Sequence, residues 1–420
     1  MNLIHKIEWS NWREFAFPSS VVLLAFFIPL IKYGIQIPIL LFILSWFFYP
    51  KVPFKKVWWP FLVFGGFYIF HLIGMFYTEH VNLGINDLTE KLSLLLFPFF
   101  FATAKPMNKK FKRYAIITFA IGLAFSVVLS FIISGFSYAN SGNIRDFYMS
   151  EFSPIFHPSY IAMFINMAIA ILLTVITTLK FSKIQLVLLW VLIFFLSLAL
   201  VFPTSKMGFI IFVFLIGYFL FKWATQKVFF KLNSLLLLLV GITTLVFIKF
   251  NPVAQSRVNS AVEFADGEMK PNESHQMESN AARIYAWKAT LNEIKKHPFG
   301  VGTGDINTVL ENHFRENGLE ELADKGLNPH NQYLQSAMAI GIPALLWFLF
   351  SLLYPFGKII RTKDWLYAFF LCSLALNLLV ESMLEKQSGI VFFSFFNALF
   401  FFSASLISKN TDNSKMNFEK

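Results

Sequence analysis

Four polar side chains crowd the start of an apolar run in GLNPHNQYLQSAMAIGIPALLWFLF, residues 326–350: His330, Asn331, Gln332 and Gln335. A structural helix end needs a cap and an interfacial aromatic, not a histidine with three amides. Upstream, SNAARIYAWKATLNEIKKHPFG reads as a helix capped by Ser279 or Asn280 and ended by Pro298 and Gly300. Ile284, Trp287, Leu291 and Ile294 form its apolar stripe, and Arg283 shares the face of Trp287. By itself that is an amphipathic helix with a solvated arginine. GVGTGD follows it, and glycines so spaced either cradle a phosphate or make a tight turn. No strand precedes them and no Walker lysine follows, so the turn is the expectation. In FPTSKMGFI, Lys206 beside Ser205 either snorkels to a membrane interface or holds an anion there. In IRDFYMSEFSPIFHPSYIAMF, Arg145 and His157 precede or open another apolar run, where His-Pro also serves as ordinary helix-start chemistry.

Lipid must position these residues. The chain has 420 residues, 56% hydrophobic and only 14% charged, with 55 phenylalanines. A soluble domain carries about a quarter charged residues, so this is an integral membrane composition. Twelve apolar segments can be marked, which predicts an all-α polytopic bundle of about twelve transmembrane helices with one long, partly helical outer loop. With the N-terminus placed inside, twenty-one Lys and Arg fall on the inner side and five in the short outer loops. That bias sets both termini in the cytoplasm. It also explains the net charge of +11 with no nucleic-acid partner. The expected organisation is a bundle of nine spans over 1–250, the outer loop over 251–330, three more spans over 331–408 and a tail over 409–420. The outer loop holds twelve acids and eight cations between 251 and 329, with His275, His297 and His313, and leads into His330. Its histidines lack metal spacing and no Asp-x-Asp pair accompanies them, so no metal site is expected. The one cysteine, Cys372, can form no internal disulfide.

Taken together, these pieces resemble the O-antigen ligase family of membrane glycosyltransferases, which also includes polysaccharide polymerases and protein O-oligosaccharyltransferases. The residues that carry the resemblance are Ser205–Lys206, where the family usually has Ser-Arg; Arg283 with Trp287; HPFGVGTGD, 297–305; and PHNQYLQSAMAIGIPALL, 329–346. The resemblance implies an enzyme of the bacterial inner membrane that needs no cofactor, with the long outer loop periplasmic. It would move a glycan from undecaprenyl pyrophosphate to a glycan, lipid A-core or protein hydroxyl on the periplasmic side. Charge grows on the pyrophosphate as the glycosidic bond breaks, so Arg283 would clamp it and Lys206 would add a second charge. Lysine in place of arginine removes the bidentate fork. His330 would be the general base, since an ordinary imidazole titrates near 6.5. Asn331, Gln332, Ser205, Arg145 and His157 would orient substrate. The alternative of a different class is a twelve-span transporter. Glu381 and Asn377, in the apolar segment 365–381, keep it open, while the lack of paired halves stands against it.

Overall fold

The computed structural model describes residues 12–225, 230–251, 253, 255 and 280–404. The expected tail and residues 256–279 of the polar stretch, Ser279 among them, lie outside the described residues. The first half holds α1 (Trp12–Phe27), α2 (Gln36–Phe48), α3 (Trp58–Gly74), α4 (Val81–Lys91), α5 (Ser93–Thr103), α6 (Lys109–Ser141) and α7 (Pro158–Thr178). Then come α8 (Lys183–Ala199), α9 (Lys206–Thr225), α10 (Phe230–Phe250), α11 (Asn280–Lys296), α12 (Ile306–Glu316) and α13 (Glu320–Asp324). The chain finishes with α14 (Gln332–Leu353), α15 (Phe356–Thr362), α16 (Trp365–Leu378) and α17 (Gln387–Phe402). Among the described residues there is no strand, only an isolated bridge between Lys51 and Ala104.

Six helices among the described residues are long and apolar enough to cross a membrane; α2, α8, α16 and α17 are shorter apolar helices. The sequence segments and the helices differ in two informative places. The run 88–104 is divided at Leu92 into α4 and α5, because the polar residues of NDLTEK suit a half-exposed helix, whereas LLLFPFFF suits a buried one. The run that opens at His330 is one long helix with a break inside it.

α7 is the centre of the bundle. Its residues from Tyr160 to Ile176 are all buried, as expected for a helix apolar on every face. Pro158 at its first turn needs no N–H partner, and the His157 ring accepts the Ser159 N–H at 3.4 Å. α6, α8, α9 and α16 pack around it. At the end of the bundle away from His330, Lys112 meets Asp364 at 3.4 Å, and Lys358 donates to the carbonyls of Phe400 and Ser403 at 3.3 and 3.2 Å. Those carbonyls end α17 and would otherwise lack donors.

The break in α14 fixes the mouth of the bundle. Gly341 has φ +87°, and Pro343 lacks the N–H that would reach the Ala339 carbonyl. The glycine-rich turn supplies what is missing: Val301 N–H donates to Met338 O at 2.8 Å and Gly302 N–H to Ala339 O at 3.0 Å. Ile342 N–H in turn donates to Pro298 O at 2.9 Å. Broken helices persist in lipid only where such partners exist. The Val301 and Gly302 amides are therefore engaged with α14, the Gly304 amide with Thr78 Oγ1, and the motif is a docked turn. A Cβ on Gly341 would lie 2.5 Å from the Phe299 carbonyl carbon, so Gly341→Ala faces both a clash and an unfavourable φ. The φ penalty alone is about 1–3 kcal/mol, so a lowered unfolding temperature in detergent is expected. Parental stability would show that the break is not locked.

Candidate active site at the Asn331 end of the bundle

His330 sits one residue before the N-cap of α14 and is itself strained, with φ +44° in the left-handed region. Three neighbours hold it there. The Asn328 side chain accepts the His330 N–H at 2.8 Å; the Trp287 indole donates to Pro329 O at 2.7 Å; and Asn331 caps α14 by accepting from Tyr333 and Leu334 N–H at 3.0 and 3.1 Å. A non-glycine residue held in this conformation is the kind of backbone strain that clusters at functional sites.

The decisive contact comes from fifty-one residues downstream. His330 Nδ1 lies 3.0 Å from Glu381 Oε1. Because α16 stops at Leu378, Glu381 is not inside a helix but in the link before the turn Met383–Glu385. Its second oxygen, Oε2, is 3.9 Å from His157 Nδ1 and accepts no hydrogen bond. Burial works against the charged form of Glu381. The His330 hydrogen bond and the charges of His330, His157 and Arg283 nevertheless hold it below the usual carboxylate range. His157 is pushed down mainly by burial; Glu381 opposes this, while His330 and Arg283 add to it. His157, Arg283 and His330 thus meet around one carboxylate that hydropathy had placed in an apolar span. A charge inside an otherwise apolar segment was the signal available in the sequence.

Arg283 reaches this point because α11 lies against α14 and α12. The buried face of α11 keeps Ile294 of the expected stripe but is otherwise made of Ala282, Ala286, Ala289, Thr290 and Glu293, whereas Leu291 is 46% exposed. Small residues let the helix backbone come close to the broken helix, a gain that a count of large apolar residues misses. Glu293 secures the arrangement, accepting from Lys296 at 2.8 Å and pairing with His313 Nδ1 at 2.6 Å.

The remaining expected residues are placed as follows. Lys206 opens α9, half-buried, and Ser205 Oγ accepts the Gly208 N–H at 3.2 Å, so the serine works as a helix cap. Gly208 rests on Ala162, and its carbonyl accepts from Asn166 Nδ2 at 2.9 Å. Lys206 therefore stands at the same end of the bundle as His157. The Gln332 side chain is fully occupied inside the protein, donating to Glu385 Oε1 at 2.8 Å and accepting the Leu384 N–H at 2.7 Å. Arg145 is exposed in the short turn Ile144–Phe147 and is not among the charges acting on Glu381 or His157. Below Asn331 an apolar groove of about 430 Å³ runs between α14 and α16, lined by Tyr333, Leu334, Leu345, Leu349, Leu376 and Leu379.

A carboxylate-held histidine at the mouth of an apolar bundle, with an arginine beside it and an apolar groove below, suits chemistry on a substrate that is half lipid. The comparison with known families is then decisive, because a family model described as O-antigen ligase matches residues 191–349. Residues 191–349 belong to the O-antigen ligase family. A search of curated proteins returns no match. The O-antigen ligase stretch contains Ser205, Lys206, Arg283, His330, Asn331 and Gln332, and that part of the chain is similar to membrane enzymes of the ligase and polymerase type. Arg145, His157 and Glu381 lie outside the ligase stretch and join the account, where they do, by contact alone.

Proposed function

We propose that this enzyme transfers a glycan from undecaprenyl pyrophosphate to an acceptor hydroxyl, working in the bacterial inner membrane with the His330 end on the periplasmic face. The observation that carries the reading is the 3.0 Å contact between His330 Nδ1 and Glu381. A carboxylate accepting the Nδ1–H leaves the lone pair on Nε2, as in a triad where an acid fixes the tautomer of its base. The acceptor O–H gives its proton to Nε2, and its oxygen attacks the anomeric carbon of the donor sugar. The bond from that carbon to the pyrophosphate oxygen breaks, and the electron pair leaves with the pyrophosphate. Arg283 and Lys206 stabilise that growing charge. Asn331 and His157 border the acceptor path, and the groove beneath Asn331 suits the polyprenyl tail.

Arg283→Lys keeps the charge and removes the planar fork, so a marked loss of transfer is expected with the protein still inserted. Lys206→Arg is expected to be tolerated or improved, since it restores the fork. If Lys206→Ala transfers at the parental rate, the lysine is an interfacial anchor only. A polysaccharide polymerase and a protein O-oligosaccharyltransferase would use the same donor with a different acceptor. Deleting the gene separates these: a ligase defect removes whole surface chains, a polymerase defect shortens them, and a protein glycosylase defect strips Ser or Thr glycans. The transporter reading has lost one of its two supports, because Glu381 lies beyond its helix and pairs with His330. Loss of transfer with intact substrate uptake into vesicles is the outcome expected for an enzyme.

A further inference from the structure

A second group of charges lies behind the His330–Glu381 pair. Lys91 closes α4 with a side chain that is fully buried. Its Nζ donates to Glu385 Oε2 at 2.7 Å and also to Asp87 Oδ1. His71, likewise buried, is 3.6 Å from Asp87 Oδ2, and Glu90 adds its charge to the same aspartate. Charges sealed into a membrane bundle are costly and are expected to serve a function. Glu385 carries the tie onward. Its Oε1 accepts from Gln332, whose own oxygen accepts the Leu384 N–H. Tyr160 O–H donates to Met383 O at 3.2 Å, and Asn331 N–H donates to Ser382 Oγ at 3.1 Å. Each residue from Ser382 to Glu385 is therefore bonded to α4, α7 or the start of α14, and Glu381 is the next residue in line. At the opposite end of α4, Asp305 of the glycine-rich turn accepts N–H groups from Glu79 and His80, each at 2.8 Å. α4 is thus a strut joining that turn to the segment that carries Glu381.

We infer that Lys91 is a positioning residue: by holding Glu385 it keeps the Glu381 carboxylate on His330 Nδ1. The inference rests on the proposed reading of His330 and Glu381 as the base pair. A three-residue turn has no packed face of its own, so its place is set by these bonds. Without Lys91, Glu385 becomes an uncompensated buried charge and draws the turn toward water. A displacement of about 1 Å at a reacting group is enough to cost ~10²-fold in rate.

Two variants test this, assayed as purified full-length protein in liposomes with lipid-linked glycan and acceptor. Lys91→Met alone leaves Glu385 unpaired and is expected to lose both stability and transfer. Lys91→Met with Asp87→Asn and Glu385→Gln removes all three charges while keeping an oxygen for Gln332, and such neutral replacements of a buried ion cluster commonly preserve stability. The triple variant is expected to unfold near the parental temperature with kcat lowered ~10- to 100-fold and KM for the donor little changed. Parental kcat in a stably folded triple variant would overturn the inference and reduce the cluster to a structural tie. His330→Gln, measured alongside, separates the two claims: if it transfers normally, the base assignment fails whatever Lys91 shows.

Discussion

Replacing His330 by alanine is expected to lower turnover ~10²- to 10⁴-fold, the usual contribution of a positioned general base, while donor affinity stays nearly unchanged. The split follows from where the residue acts. His330 meets the acceptor hydroxyl in the transition state, whereas the pyrophosphate is held by Arg283 and Lys206 in the proposed site. An interaction made only in the transition state lowers kcat and kcat/KM equally when removed. Steady-state transfer rates at several donor concentrations check this directly. A raised KM with normal kcat would move His330 from proton transfer to donor binding.

Glu381→Gln is expected to be nearly as damaging although it changes one atom. The carboxylate can only accept from His330 Nδ1–H, whereas an amide can turn its NH₂ toward the ring and hold the other tautomer. The acidic partner of a serine-protease histidine shows how much that costs: the matching amide substitution there lowers kcat by ~10⁴. A fall of ~10²- to 10⁴-fold is expected here, with the protein still folded because the Ser382–Glu385 ties remain. Near-parental turnover in this variant would show that the carboxylate only packs beside the ring.

The membrane class and most helices were legible in hydropathy, since a span must be apolar for about 20 residues whatever its neighbours do. The cluster that opens at His330 was legible as a candidate site, because so many polar groups at the mouth of such a run exceed what a cap needs, although Asn331 does serve as that cap. Glu381 was not, because its meaning depends on a contact made fifty-one residues away in sequence. Read locally it was a charge in a span, which pointed to transport. Gln332 shows the converse. As an amide beside His330 it reads as a substrate contact, yet both ends of its side chain bond to the turn that follows Glu381. The close face of α11 was hidden for another reason: alanines pack by letting backbones approach, and apolar periodicity ranks them below leucine. The glycines of GVGTGD were read correctly as a turn, but their partner, the carbonyls freed where α14 breaks, needed the structure.

The central claim is that His330 takes the proton of the acceptor hydroxyl. The most direct measurement is single-turnover transfer by the parent and by His330→Gln in liposomes, from about pH 5 to 8, across the ordinary imidazole range. The account predicts that the parent loses activity toward the acid end, because only the neutral ring accepts a proton. It predicts that His330→Gln is slower throughout and has lost that acid limb. A His330→Gln protein with parental turnover and the parental pH profile would contradict it.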